Sequence, residues 1–246
     1  MKIIMVLFAA MFVFQQEDLN SEKLLKQMYD RYTGKWYHSL TFVQRTESYA
    51  KDSLVKTATW YEAISYPNKF RIDFGDLHDG NAIIFNNDSA YLFKNGVKAN
   101  ARADANDLTF LLGGLYFYPF DQVISQVKAL HYDLSRFHGD TWDHKPVYVI
   151  GANTSEEQVN QLWIDKEKLV VVRFVKFEDG KKEEGILDDY VKLGGGWSET
   201  KVTFFINGKL IQKEYYRDTK ANVELDPAIF QPDSFGKTHW YKQGNN

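Results

Sequence analysis

The sequence lacks cysteine altogether, and this absence excludes several classes of chemistry. Without a thiol among its 246 residues, the chain forms no disulfide, has no thiolate nucleophile and offers no cysteine ligand to a metal. An excess of positive charge is also missing, because 30 Lys and Arg residues stand against 33 Asp and Glu residues. Since nucleic-acid binding draws most of its affinity from neutralising phosphates, we predict no nucleic-acid partner.

Apolar runs long enough to cross a bilayer as a helix are absent as well. The longest apolar run begins near the N-terminus. Residues 3–14 carry no charge and follow Met1 and Lys2, but twelve residues are fewer than the ~20 needed to cross a bilayer as a helix. A secretory signal peptide needs only ~7–15. We therefore predict a signal peptide over residues 1–16, export, and a single domain over residues 17–246. An uncleaved N-terminal anchor is the alternative interpretation.

Aromatic residues, by contrast, are abundant at 16% of the chain, which favours a β-rich protein. From Ser39 onward, short runs rich in Val, Ile, Thr and aromatic residues alternate with turn signals such as Asn95-Gly96 and Asn207-Gly208. Short connections imply antiparallel neighbours. About eleven strands are predicted, over residues 39–50, 54–65, 69–75, 81–86, 89–94, 146–151, 159–165, 168–177, 182–193, 197–206 and 209–217.

Helical spacing appears in three places. Leu24, Leu25 and Met28 lie on one face of a predicted helix over 21–37, with Ser21 as its cap. Two more helices are predicted between Asp104 and Leu130. The predicted fold class is therefore mainly β, a long antiparallel meander with a few helices.

The strand faces indicate a curved sheet with an apolar interior. Several strands, such as Val147–Ile150, are apolar on both faces, so both faces must be shielded from water. In residues 69–74 the alternation is strict, and Phe70, Ile72 and Phe74 share one face. An ordinary core strand and the wall of a ligand cavity both fit this pattern.

Catalytic and metal-binding motifs are weak. His138 and His144 flank Asp140 and Asp143, but their spacing is not that of a zinc site, and the segment is predicted to be a loop. The sequence contains no nucleophile elbow and no phosphate-binding or dinucleotide-binding glycine motif. We therefore predict no catalytic residue, no metal and no cofactor.

Four segments together resemble the LolA/LolB-like superfamily of outer-membrane lipoprotein-sorting proteins. They are the strand, Pro-Asn turn and aromatic strand of residues 60–72 (WYEAISYPNKFRI), the hairpin of 82–93 (AIIFNNDSAYLF), the lid-like segment 108–112 (LTFLL) and the ending 222–230 (NVELDPAIF). The resemblance implies an unclosed antiparallel β-barrel of about eleven strands, with an N-terminal helix and two lid helices. It also implies a periplasmic location in a Gram-negative bacterium.

The same resemblance implies a site for acyl chains in an apolar cavity under the lid. Tyr66 stands where the family carriers have a lid-latching arginine, so Tyr66 and Arg71 are the candidate hydrogen-bonding partners of the lid. The residues expected on the cavity wall and lid are Phe42, Trp60, Phe70, Ile72, Phe74, Phe85, Leu111, Leu112 and Leu115.

The function implied is that of a monomeric, non-enzymatic periplasmic carrier or binding protein for lipoproteins or lipid acyl chains. Its expected partners are an inner-membrane release complex and an outer-membrane acceptor. Two alternatives stay open at this point: a protein-binding sensor or scaffold on the same fold, and a periplasmic hydrolase built from carboxylates and His138 or His144.

Overall fold

A large antiparallel sheet dominates the computed structural model, which describes residues 19–241. The predicted signal peptide over 1–16 therefore lies outside the described residues. The elements in chain order are α1 (Ser21–Tyr32), β1 (Ser39–Ala50), β2 (Ser53–Ser65), β3 (Lys69–Phe74), β4 (Ala82–Asn86), β5 (Ser89–Lys94), β6 (Val97–Ala103), α2 (Asp107–Leu111), α3 (Phe120–Ala129), β7 (Phe137–Trp142), β8 (Lys145–Ile150), β9 (Gln161–Asp165), β10 (Val171–Glu178), β11 (Lys181–Asp188), β12 (Val191–Leu193), β13 (Gly196–Ser198), β14 (Lys201–Ile206) and β15 (Lys209–Ala221), with 3-10 turns at Leu77–Asp79, Gly114–Phe117, Pro227–Phe230 and Pro232–Ser234.

Thirteen strands form one sheet in the order β6-β5-β4-β3-β2-β1-β15-β14-β11-β10-β9-β8-β7, and β12 pairs with β13 in a separate hairpin. The edge strands β6 and β7 do not pair with each other, so the sheet stays unclosed. The mainly β, unclosed antiparallel fold predicted from the sequence is confirmed.

Two strands of the large sheet lie beyond the eleven predicted, and they are its edges; the predicted strands 182–193 and 197–206 are each interrupted, and their inner ends form the separate β12–β13 hairpin. Every residue of β6 is exposed, and its alternating apolar row, Val97 followed by three alanines, is a weak strand signal because alanine is depleted in strands. Strand β7 includes His138, in the segment expected to be a loop, and Asp143 and His144 form its tight turn into β8 with positive φ angles of 46° and 61°. Polar edge strands protect a sheet from pairing with other chains.

The N-terminal helix is shorter than predicted and is capped one residue earlier. Asn20, not Ser21, is the N-cap, and its side chain accepts a hydrogen bond from the Lys23 amide at 2.9 Å. The Ser21 hydroxyl instead donates to the backbone carbonyl of Arg136 at 2.9 Å, tying α1 to the chain before β7. The helix ends at Tyr32.

The main core lies between the three helices and one face of the sheet. We call this face the inner face; it carries Phe42, Ile64 and Phe174, which join buried residues of α1, α2 and α3 in one apolar cluster. The helices thus cover the middle of the inner face. They act as a lid on the sheet.

The opposite, outer face of β2 to β5 is covered by the C-terminal segment, residues 225–241. Ile229 and Phe230 pack on Ala63, and Phe235 stacks on Phe93 with ring centroids 3.9 Å apart. Both faces of this part of the sheet are therefore shielded from water; the strands from which shielding was predicted, such as Val147–Ile150 in β8, lie elsewhere in the sheet.

Candidate functional site

A cavity of about 160 Å³ lies between the inner face and α2. Most of its wall is aromatic or aliphatic, and the polar groups are few. The lining residues are Tyr37, Leu40, Phe42, Trp60, Glu62, Ile64, Tyr66, Phe70, Ile72, Asn106, Leu108, Thr109, Leu112, Phe174, Leu187, Glu199, Val202, Phe204, Glu214 and Tyr216.

Strand register explains why these side chains meet. In the β2–β3 pair, Ile64 lies opposite Phe70, and Glu62 lies opposite Ile72. Directly opposed residues project on the same face of a sheet, and so do alternate residues of one strand. The alternation Phe70, Ile72, Phe74 therefore does define an inner-facing row, with Glu62 in the matching row of β2.

A second cavity of about 240 Å³ adjoins the first on the other side of α2. Phe70, Asn106 and Thr109 line both. Asn106 caps α2, because its side-chain oxygen accepts hydrogen bonds from the amide and the hydroxyl of Thr109 at 2.8 and 3.0 Å. The short helix α2 is thus the partition between the two spaces.

The predicted cavity residues fall into three groups. Five of them, Phe42, Trp60, Phe70, Ile72 and Leu112, line the first cavity. Phe85 lines the second and stacks on Phe70, with ring centroids 6.1 Å apart. The other three line neither cavity: Phe74 packs edge-on against Trp60 at 4.9 Å, whereas Leu111 and Leu115 are buried in the main core at 3% and 1% exposure.

The two candidate lid partners take different positions. Tyr66 lines the first cavity and stacks on Phe117 of the 3-10 turn that follows α2. Next to it, a Cβ atom on Gly113 would come within 2.8 Å of the Tyr66 ring, so the lid loop passes directly over this tyrosine. Tyr66 is thus a packing partner of the lid.

Arg71 does not reach the lid, and that expectation is corrected. The guanidinium lies on the outer face of β3, 2% exposed, and makes a bidentate pair with Asp73 at 2.8 Å. It also donates to the backbone carbonyls of Ile229 and Thr238 at 3.1 and 3.3 Å. Arg71 therefore holds the C-terminal segment against the sheet.

The ion pair that does reach the lid involves Lys176 of β10. Its ammonium lies 2.5 Å from the carboxylate of Asp107, the first residue of α2. Both side chains are partly exposed, at 23% and 35%. Pairs of this kind contribute at most ~1 kcal/mol, so this contact is a weak tether of α2.

Three carboxyl groups line the mostly apolar first cavity, and sequence reasoning missed all of them. Burial raises the pKa of Glu199 to about 7. Burial also raises the pKa of Glu214, although its carboxylate accepts hydrogen bonds from Tyr216 and Gln212 at 2.8 and 2.6 Å. Burial, together with the negative charges of Glu214 and Glu199, raises the pKa of Glu62 well above its ordinary value.

Glu62 differs from Glu214 in having no partner. It is 3% exposed, and among the residues that the structure describes none hydrogen-bonds or ion-pairs with its carboxyl. Glu62 thus faces the cavity without a protein partner, and ionising a carboxyl in such a mostly apolar place is costly. The available signal was the alternation Trp60, Glu62, Ile64 in β2, which places an acidic residue in an inward-facing apolar row.

The histidine segment forms a separate polar cluster. His138 Nδ1 lies 2.9 Å from the Ala152 carbonyl and Nε2 lies 3.1 Å from the Ser155 hydroxyl, which itself donates to Asp140. The Asp140 carboxylate lies 3.7 Å from His138 Nε2, the same nitrogen that faces the serine, whereas in the Ser-His-Asp arrangement of hydrolases the carboxylate holds the other ring nitrogen. Within residues 19–241, no group of three or more His, Asp or Glu side chains is placed to hold a metal ion.

Comparisons of sequence find no relative, whereas comparisons of structure do. No family model matches the chain, and no curated protein matches it. A DUF1329 family protein from Desulfovibrio piger superposes with a TM-score of 0.60 at 13% identity, over 87% of this chain and 97% of that one. A domain named for outer membrane lipoprotein sorting, from Vibrio parahaemolyticus, gives 0.58 at 11% identity, over 87% and 97%.

A LolA superfamily protein from Nitrosomonas europaea gives a TM-score of 0.53 at 10% identity, over 88% of this chain and 99% of that one. These likenesses confirm the LolA-like fold that the sequence motifs predicted. In the part of the chain that the structure covers, no helix is both long enough and apolar enough to span a membrane.

Proposed function

We propose that the protein is an exported, periplasmic carrier or binding protein that holds lipid acyl chains, including those of lipoproteins, under its helical lid. The observation that carries this proposal is the first cavity, whose wall is formed by aliphatic and aromatic side chains of the inner face and of α2. A signal peptide over residues 1–16 and one domain over 17–246 belong to the same proposal. Affinity comes from buried apolar area, at ~0.8 kcal/mol per methylene.

The size of the cavity limits what the closed form can hold. At about 160 Å³ it is comparable to an engineered apolar cavity of ~150 Å³ that takes up benzene, so it accommodates only a few methylenes. A longer chain must also occupy the second cavity of about 240 Å³. The two spaces join if α2 shifts. The weak pair between Asp107 and Lys176 adds little resistance to such a shift, which is opposed mainly by the burial of Phe110 and Leu111.

Native mass spectrometry of protein purified without detergent tests the proposal. We expect a lipid adduct on the wild-type protein and its loss in Leu112→Glu and Phe70→Glu, because each change places a carboxylate against the bound chain. Leu54→Glu is the matched control, since Leu54 is 53% exposed at the start of β2, and its adduct should be retained.

Far-UV circular dichroism should be unchanged in all three variants. An adduct that persists in both cavity variants would place the chain elsewhere. A wild-type protein that binds no lipid, either on purification or after incubation with phospholipid vesicles, would refute the carrier proposal.

A further inference from the structure

The first cavity is asymmetric in charge, which a site for hydrocarbon alone does not require. Three of its lining residues are glutamates, and none of its lining residues is lysine, arginine or histidine. The neighbouring inner-facing rows of β1 and β3 are apolar at this level, with Phe42 and Ile72 directly opposite Glu62. The cavity thus presents acceptors without a protein cation.

Glu62 is the most informative of the three. Its carboxyl is buried, lines the cavity and has no partner among the described residues. On the outer face of the next strand, Asp73 is equally buried but is fully satisfied by Arg71 and His239. Buried carboxylates in folded proteins are normally paired. Because Asp73 is paired and Glu62 is not, we infer that Glu62 pairs with a group from outside the chain.

We propose that Glu62, with Glu199 and Glu214 beside it, binds the protonated amine of a cationic aliphatic amphiphile whose hydrocarbon tail lies along Phe70 and Leu112. This inference rests on the proposed function and specifies its ligand class. An ammonium group supplies up to three donors and a positive charge, which together satisfy Glu62 and offset the other two carboxylates. A neutral alcohol supplies one donor and no charge, and a fatty acid adds a fourth carboxylate.

Proton balance follows from the same geometry. Burial raises the pKa of Glu199 to about 7, so this carboxyl is partly protonated near neutral pH, and the pKa of Glu62 is raised in the same direction. When the ammonium enters, a protonated carboxyl ionises, the proton passes to solvent, and an ion pair remains. The other titratable groups facing Glu62 are Tyr37, Tyr66 and Tyr216, all with pKa values raised by burial, so they stay neutral.

Isothermal titration calorimetry with octylamine, octanol and octanoate, equal in chain length, tests the inference at pH 8. We expect octylamine to bind at least tenfold more tightly than octanol, and octanoate to bind least tightly. Repeating the octylamine titration at pH 7 in two buffers of different ionisation enthalpy should show a net release of protons. At pH 4, where the three carboxyls are protonated, the preference for the amine should disappear.

The Glu62→Gln variant should reduce the preference for octylamine to less than threefold while leaving octanol binding unchanged. Glu47→Gln is the matched control, because Glu47 is a mostly buried glutamate on β1 that is already engaged by Arg45 and Tyr49. Equal affinity for octylamine and octanol in the wild-type protein would overturn the amine site but leave the chain-binding function standing. Failure of all three probes to bind would refute both.

Discussion

The buried pair Arg71–Asp73 makes a quantitative prediction for stability. Both residues are almost fully buried, at 2% and 4% exposure, and the pair is bidentate, with both contacts at 2.8 Å. Asp73→Asn leaves the guanidinium without its counter-charge and replaces one of the two oxygens that accept from Arg71 and His239 by an amide nitrogen, which cannot accept. Losing one partner of a buried ion pair costs ~3–5 kcal/mol, which is a large fraction of the ~5–15 kcal/mol by which domains are stable.

Urea denaturation at pH 7 measures this loss directly. The matched control is Asp218→Asn, since the Arg217–Asp218 pair is 61% exposed on each side and should contribute within ~0.5 kcal/mol. Because Arg71 also donates to the carbonyls of Ile229 and Thr238, the C-terminal segment should loosen in Asp73→Asn. Cleavage after Lys237 by a lysine-specific protease should therefore become faster in this variant.

The pH dependence of the wild-type protein checks the same reasoning. Burial raises the pKa of Asp73, but hydrogen bonds from His239 and Arg71 outweigh it, and the net pKa is lowered. The stability that Asp73 contributes is therefore present above the ordinary pKa near 3.8 and is lost as the pH falls through the lower folded-state value. A cost below about 1 kcal/mol for Asp73→Asn at pH 7 would show that the pair is not desolvated, and the argument would fail.

Three further predictions concern the cavity and its lid. Burial raises the pKa of Glu199 from 4.5 to about 7, so ionisation of this carboxyl increasingly destabilises the folded state as the pH rises between these values. Glu199→Gln should therefore raise the free energy of unfolding at pH 8 by about 1–2 kcal/mol after solvent screening. A variant no more stable than wild type in urea would contradict this. Gly185→Ala places a Cβ atom 2.2 Å from the Phe174 ring and should push that ring into the cavity. The octanol affinity, measured by calorimetry, should then fall several-fold. An unchanged affinity would mean that the ring moves elsewhere. Lys176→Ala removes the ion pair with Asp107 and should change stability by less than ~1 kcal/mol. Octanol release, followed by stopped-flow fluorescence, should become faster. An unchanged release rate would show that movement of α2 does not control release.

The interior of the sheet was predictable from the sequence, and its edges were not. Each of the eleven predicted strands corresponds to a strand of the sheet, because each carries at least one apolar face. The two edges carry only a weak form of that signal: the apolar row of β6 is Val97 followed by three exposed alanines, and most of β7 is the polar run from His138 to Thr141. Pairing on one side only removes the need for an apolar pattern, so the edge strands are set by their neighbours instead of by their own residues.

For the candidate site, sequence reasoning found the apolar wall but missed the charges. Phe70 and Ile72 follow from strict alternation in β3, and the structure places both on the first cavity. Arg71 was misplaced because its partners beyond Asp73, the carbonyls of Ile229 and Thr238, lie far along the chain. Glu62 was missed because an acidic residue in a strand usually indicates a solvent-facing position, although its alternation with Trp60 and Ile64 pointed inward, as its register against Ile72 shows.

The burial of the two faces of β3 is therefore the reverse of what the polarity of their residues predicts. Its charged residues Arg71 and Asp73 are buried under the C-terminal segment, whereas its apolar residues Phe70 and Ile72 are only partly buried beside a cavity. An apolar row left partly uncovered costs hydrophobic free energy, and an unpaired Glu62 across from Ile72 costs desolvation energy as well. Both costs fall at the same place in the fold, and a ligand with a hydrocarbon tail and an ammonium group removes both at once. Such coincident deficits distinguish a binding cavity from a packing defect, which would be apolar throughout.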